Sequence, residues 1–315
     1  MAIDERITLA HGNGGRRTRE IIEEIFARHL ANPQLDVQVD AATFALDAGH
    51  WALTTDGFVV QPLEFPGGSI GSLAVNGTVN DLAVSGATAQ LMTLNATIEE
   101  GLEIAQLDRL IADLARAANA VGARVVAGDT KVVPRGHGGG IYLATTGLGR
   151  VERPGLGLDQ IRAGDRLLVS GSVGDHGVCV MLAREEFDLR GDVASDCAPV
   201  LDLARAAWAL PGLRFLRDPT RGGLATVAHE IAHAAGVTVE LEEEAIPVRP
   251  ETTAVCDMLG FDPYYLACEG RAVAVVAPEA ADALLERWKA VEAGRKASVI
   301  GVVEDPVHWY LLVHE

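Results

Sequence analysis

The chain has 315 residues, 49% of them hydrophobic, which is enough to bury the cores of two compact domains or of one large one, and too apolar for wholesale disorder. Asp and Glu number 44 against 26 Lys and Arg, a net charge of −18, which runs against a duplex nucleic-acid binder needing a basic face. Four scattered cysteines (Cys179, Cys197, Cys256, Cys268) form no CxxC pair and no zinc spacing. The N-terminus has no basic region followed by an apolar run, and no apolar stretch nears the roughly 20 residues that cross a bilayer. A soluble cytoplasmic protein with reduced thiols is expected.

His11–Gly15 (HGNGG) precedes Thr18–Leu30, where Ile21, Ile22, Ile25, Phe26 and Leu30 recur at helical spacing. A mobile glycine loop leading into an amphipathic helix lets backbone amides approach an anion, as phosphate loops do. The loop is not the GxxxxGK[ST] pattern, and a plain flexible N-terminus is the alternative. Asp40-Ala-Ala precedes a strand pair whose second member is Trp51–Val60. Asp56 interrupts that apolar strand, and a carboxylate there needs a ligand or hydrogen-bond partner, unless Asp56-Gly57 is simply an edge turn. Ala74–Ala87 reads as a helix of small residues holding Asn80 and Asp81, both poor helix formers. Leu91–Glu100 is a strand with Asn95 and Glu99 towards its end, and Leu102–Val121 is an amphipathic helix.

Arg124–Val133 (RVVAGDTKVV) predicts a buried strand ended by Gly128, with Asp129, Thr130 and Lys131 together where the chain leaves the sheet. A carboxylate suits a hard cation, and a lysine suits phosphate or proton transfer. A surface turn with a local Asp–Lys pair fits the same letters. Arg135–Gly140 predicts a hairpin loop, and a boundary near residue 155 divides the chain into domains 1–154 and 155–315.

In the second half, Asp165–Val169 is a strand followed by GSVGDHG and a helix. Arg217–Gly223 (RDPTRGG) is either a proline turn with a helix cap or an anion site before the helix Leu224–Ala235. Tyr264–Gly270 (YYLACEG) predicts a strand-like segment that delivers Glu269 before the strand Ala272–Val276. Ala280–Ala290 is a helix, and Val299–Val313 is strand-like, with Trp309 and Tyr310 either core residues or a docking patch.

HGNGG, TTDGFVV, GTVNDLAVSGA, GDTKVV, SGSVGDHG, RDPTRGGL and CEG occur in this order across nearly the whole chain. The series closely resembles the HypE family of hydrogenase maturation proteins. More broadly it resembles the superfamily of aminoimidazole ribonucleotide synthetase, formylglycinamidine synthetase, selenophosphate synthetase and thiamine-phosphate kinase. GTVNDLA is shared across that superfamily and bears on ATP binding, whereas GDTKVV, RDPTRGGL and CEG point to the HypE branch.

The resemblance implies an α+β fold of two domains of the aminoimidazole ribonucleotide synthetase type, a homodimer joined through the N-terminal sheets, and ATP near that interface. It implies Mg²⁺ on Asp40, Asp56, Asp81, Glu99 and Asp129, although Val39-Asp40 stands where paired aspartates are common. His11, Gly12, Asn13, Gly14, Gly15, Asn80, Asn95, Gly128 and Thr130 match nucleotide and phosphate positions. Lys131 and Glu269 match the catalytic pair, and Arg217, Thr220 and Arg221 match the cleft lining.

The activity implied is ATP-dependent dehydration of a carboxamide to a nitrile through an iminophosphate. The partners implied are a HypF-like carbamoyl transferase and the HypC–HypD scaffold. The family's tail ends Pro-Arg-Ile-Cys and carries the S-carbamoyl thiol, whereas this sequence ends HWYLLVHE and its last cysteine is Cys268. A removed tail, a carboxamide delivered in trans and an acceptor role for Cys268 are the three explanations, the last opposed by its apolar surroundings. Another amide-activating member of the superfamily and a non-catalytic ATP-binding scaffold are the competing readings.

Overall fold

The computed structural model describes residues 5–39, 41–184 and 191–306, together with the backbone of 311–314. The chain divides into two compact units, Met1–Leu82 with Thr88–Arg150, and Ala83–Ala87 with Val151–Glu315. The division falls at residue 150, slightly before the expected boundary. No described helix is long and apolar enough to cross a membrane.

In the first unit α1 (Arg16–Ile21) runs on through a π-helical stretch, Ile22–Ala27, into α2 (Arg28–Leu30). Strand β1 (Trp51–Phe58) follows, then the short pair β2 (Glu64–Phe65) and β3 (Gly68–Ser69), helix α3 (Ile70–Val84) and strand β4 (Ala87–Glu99). Helix α4 (Ile104–Val121), β5 (Arg124–Val133) and β6 (Ile141–Val151) complete the unit. The sheet order is β1-β6-β4-β5. Strand β1 is antiparallel to β6, with Asp56 opposite Thr145, and β4 is parallel to β5, with Asn95 opposite Asp129.

Helix α4 forms because Leu107, Leu110, Ile111, Leu114 and Ala118 make one buried stripe, and Gly122 closes it in the left-handed conformation. Small residues let α3 sit tightly between this helix and the sheet: a Cβ on Gly71 would strike the Leu110 carbonyl oxygen, and one on Gly77 would strike the Phe58 ring. Alternation along β4 buries Leu94, Ala96 and Ile98 and exposes Thr93 and Asn95. One face of the sheet therefore carries the helices. The other, with Leu53, Thr55 and Ala144, is open.

Several expectations are corrected. Gly128 does not end a strand, because β5 continues through Asp129–Lys131 in register with β4. The glycine is there because a side chain would lie 2.5 Å from the Leu94 carbonyl oxygen. Residues 134–140 are not a hairpin loop either, since β4 lies between β5 and β6. No strand occurs among residues 41–50, so β1 has no preceding partner there.

The second unit contains β7 (Arg166–Val169), α5 (Asp175–Ala183), α6 (Leu201–Trp208), β8 (Leu213–Arg217), α7 (Gly223–Ala235) and β9 (Thr238–Glu242). It ends with α8 (Pro250–Leu259), β10 (Val273–Val276), α9 (Ala281–Lys289), β11 (Ser298–Glu304) and β12 (Leu311–His314). The six-stranded order is β12-β9-β11-β7-β10-β8. Leu203, Ala207, Leu284 and Trp288 from α6 and α9 form one core with Leu168, Ala274 and Val276. Leu224, Val227, Ala228 and Ile231 of α7 form another with Leu167, Val169, Val273 and Val275. Burial on both faces explains why β10 is wholly apolar. Tyr264–Gly270 is not a strand but a 3₁₀ turn over Pro263–Tyr265 followed by irregular chain. Trp309 and Tyr310 lie outside the described residues.

Candidate functional site

The glycine segment packs against β5. A Cβ on Gly12 would lie 2.8 Å from the Cβ of Val132, so only glycine allows this approach. His11 is not in a mobile loop: it is buried in a 3₁₀ turn, Leu9–Gly12, and its Nδ1 accepts from the Thr8 N–H at 3.0 Å. The Gly14 N–H donates to Thr18 Oγ1 at 3.0 Å, tying the segment to α1. Between these residues and β5 lies a cleft of about 380 Å³, within the usual range for a small-ligand site. Gly12, Gly14, Gly128, Asp129, Thr130 and Lys131 line it, with Arg19 and Thr18 from α1.

Lys131 Nζ stands 2.7 Å from Asp129 Oδ2. The pair is on the open face of β5, two residues apart, beside Asn95 and Thr97 of β4. The Lys131 ammonium, with a smaller contribution from the Thr130 N–H, holds the Asp129 carboxyl below the usual aspartate range. Both side chains are more than half exposed, so the pair adds little to stability and leaves the ammonium reachable.

A second group of acids lies at the other edge of the sheet. Thr54 Oγ1 donates to Asp81 Oδ2 at 2.8 Å, joining β1 to α3. Asp56, two residues along β1, faces the same helix, because a Cβ on Gly77 would be 3.8 Å from Asp56 Oδ2. Asn80, next to Asp81, is buried in α3. β1 and β5 are separated by two strands, roughly 14 Å at the normal inter-strand spacing, so Asp56 and Asp81 do not join Asp129 within one sheet.

Glu99 is occupied elsewhere. Its carboxylate accepts the backbone N–H groups of Gly136 and Gly140, anchoring the segment between β5 and β6. These two hydrogen bonds hold its carboxyl below the usual glutamate range. Asp40 lies outside the described residues. Among the described residues no group of three or more His, Cys, Asp or Glu side chains is arranged to hold a metal ion. The donor set still fits a nucleotide-borne Mg²⁺, which takes oxygen ligands and needs only one or two protein carboxylates beside phosphate oxygens. Asp129 in the cleft, and Asp56 and Asp81 at the other edge, are carboxylates of that kind.

The remaining expected residues belong to the second unit, where glycines bring three motif segments together. A Cβ on Gly174 or Gly177 would strike Pro263 or Leu266, and one on Gly223 would strike the carbonyl oxygens of Tyr264 and Leu266. The Cys268 N–H donates to the Pro219 carbonyl at 3.0 Å, which joins the Glu269 turn to the loop of Thr220 and Arg221. Arg217 reaches Glu230 of α7 at 3.4 Å. Cys268 is fully buried, its Sγ accepts the Gly174 N–H, and burial pushes its thiol well above the usual range, which suits packing rather than an acceptor thiolate. Thr54 and the buried acids Asp175 and Asp196 were not legible as site residues. Thr54 and Asp175 lie within the TTDGFVV and SGSVGDHG motifs, but their partners Asp81 and Thr252 are 27 and 77 residues away, and Asp196 meets the Glu269 amide 73 residues on.

The fold and these motifs define an AIR synthase-related protein. Residues 38–151 match the family profile "AIR synthase related protein, N-terminal domain", and residues 162–313 match "AIR synthase related protein, C-terminal domain". The chain is 46% identical over 308 residues to the carbamoyl dehydratase HypE of Azotobacter vinelandii, covering 97% of this chain and 90% of that one. A crystal structure of hydrogenase maturation protein HypE in complex with ATP superimposes with a TM-score of 0.90 at 40% identity, covering 94% of this chain and 89% of the other. A HypE–HypF complex aligns with a TM-score of 0.81 at 40% identity, over 93% and 95% of the two chains. The chain belongs to the HypE family.

Proposed function

We propose that the chain catalyses ATP-dependent dehydration of an S-carbamoyl thiol to a thiocyanate, for the cyanide ligands of NiFe-hydrogenase. The observation that carries this reading is the match to a carbamoyl dehydratase through both domains, at 46% identity over 97% of the chain. ATP occupies the cleft between the glycine segment and β5. The carboxamide oxygen attacks the γ-phosphorus, the bond to ADP breaks, and one nitrogen proton leaves as the iminophosphate forms. Glu269 takes the remaining nitrogen proton while the carbon–oxygen bond breaks, releasing phosphate and leaving the nitrile. Lys131 Nζ faces the charge of the transferring or departing phosphate.

Mg²⁺, when bound, neutralises phosphate charge. Asp129, which lines the cleft, would hold it beside phosphate oxygens, with Asp56 and Asp81 offering further carboxylates at the other edge of the sheet. A homodimer through the open sheet faces would cover Leu53, which is 71% exposed. A HypF-like carbamoyl transferase supplies the carbamoyl group, HypC–HypD receives the cyanide, and the setting is the cytoplasm.

The test is product analysis with Mg²⁺-ATP and a peptide ending in S-carbamoyl cysteine. Loss of water from the peptide with equimolar ADP is expected. ADP without dehydrated peptide, or neither product, would overturn dehydration in trans.

A further inference from the structure

The Glu269 turn is held by a buried carboxylate from a distant segment. Asp196 Oδ1 accepts the Glu269 N–H at 3.0 Å, and the Asp196 carboxylate also accepts from the next amide, Gly270. The Glu269 carbonyl accepts the Ala198 N–H at 3.3 Å, so the peptide groups on both sides of its Cα are fixed. Gly270 is what allows this contact, since a Cβ there would lie 1.9 Å from the Asp196 carbonyl oxygen.

The Asp196 side chain is 0% exposed, with Arg271 Nε 3.5 Å from Oδ2. Arg271 is itself oriented, donating through Nε to the Ser172 carbonyl at 3.0 Å and lying 4.0 Å from Asp175. Asp175, also fully buried, accepts from Ser172 Oγ and from Thr252 Oγ1 and pairs with Arg249 Nε at 3.0 Å. Two buried carboxylates thus face two guanidinium groups, although Asp196 Oδ2 accepts no hydrogen bond and burial, only partly offset by Arg271, raises its carboxyl above the usual aspartate range. Such a network is costly to break and leaves its members little freedom. The amides of Glu269 and Gly270 tie this network to the CEG segment.

We propose that Asp196 is a positioning residue for dehydration, fixing the Glu269 backbone so that its carboxylate meets the amide nitrogen. This rests on the reading of Glu269 as the base. Misplacing a reacting group by about 1 Å costs about 10²-fold in rate. The step most affected is the one that uses Glu269, proton removal from the iminophosphate, while phosphoryl transfer continues.

The experiment compares wild type, Asp196→Asn and Asp196→Ala in two ways. Hydrogen exchange read by mass spectrometry follows peptides spanning 266–272 against those spanning 273–276. Faster exchange confined to the Glu269 turn is expected, and unchanged exchange in both variants would overturn the anchor. Product analysis follows ADP and dehydrated peptide together. The expected result is ADP exceeding dehydrated peptide in the variants, with KM for ATP unchanged and the dehydration rate down about 10²-fold. Equal loss of both products, or a wild-type ratio in the Asn variant, would overturn the positioning role. If Asp196→Ala does not fold, Asp196→Asn, which keeps size and one acceptor, decides alone. A wild type that dehydrates nothing overturns the functional reading and this role with it, whereas the exchange result tests the anchor separately.

Discussion

The Cα of Gly12 faces the backbone of Val132 so closely that an added methyl would lie 2.8 Å from the valine Cβ and 2.9 Å from its N. This contact sets the glycine segment over the β5 edge that carries Asp129 and Lys131. Gly15, three residues on, has no atom within 4 Å of the same added methyl, and its φ of −88° suits any residue.

Two substitutions of equal size should therefore differ. Gly12→Ala must push the segment off β5, with about 1–3 kcal/mol of destabilisation and weakened ATP binding. Gly15→Ala should leave stability within about 0.5 kcal/mol and ATP affinity near wild type. Thermal unfolding and calorimetric ATP titration would measure both. Equal effects would mean that the close approach does not govern the cleft.

The hydroxyl of Thr54 reaches across from β1 to the Asp81 carboxylate at 2.8 Å. Thr54→Val keeps the side-chain shape and removes the donor. A stability loss of about 0.5–1.5 kcal/mol is expected from the hydrogen bond alone. If Asp81 helps hold Mg²⁺, the Mg²⁺ concentration needed for half-maximal ATP binding should also rise. A variant with lowered stability and unchanged Mg²⁺ dependence would remove Asp81 from the metal set.

How much of this was legible in the sequence differs by kind. The glycine segment and the Asp129–Lys131 pair could be read from local motifs, because each is carried by neighbouring residues, whereas the two-domain α+β fold came only through the resemblance of the whole motif series to a family. The continuation of β5 through Gly128 could not, because a strand glycine that admits the Leu94 carbonyl and a glycine that ends a strand look alike. Glu99 looked like a metal ligand, and its two backbone donors come from residues 37 and 41 positions later. Asp196, Arg271 and Asp175 are likewise assembled only by the tertiary fold.

Glu99 provides a pH test. Its folded carboxyl titrates below the usual value because Gly136 and Gly140 donate to the ionised form. The anchor is therefore present at neutral pH and is lost as pH falls through that lowered value. Glu99→Gln should speed hydrogen exchange in residues 134–140 at pH 7 while leaving Mg²⁺-ATP affinity unchanged. Loss of metal-dependent affinity with an undisturbed loop would return Glu99 to the metal set.

His176 provides the larger pH effect, with the same sign but a different cause. The imidazole is buried, its Nδ1 lies 2.8 Å from Ser195 Oγ, and burial lowers its pKa from 6.5 to about 4. In the unfolded chain it takes a proton near pH 6.5, whereas the folded chain resists until about pH 4. Between those values the unfolded state binds more protons, so stability falls as pH falls. The full difference is on the order of 3 kcal/mol, present above pH 6.5 and lost towards pH 4. Urea unfolding at pH 7.5 and pH 5 should show a smaller decline for His176→Gln than for wild type. An identical decline in both would show that the imidazole is protonated within the fold and that burial does not hold it neutral.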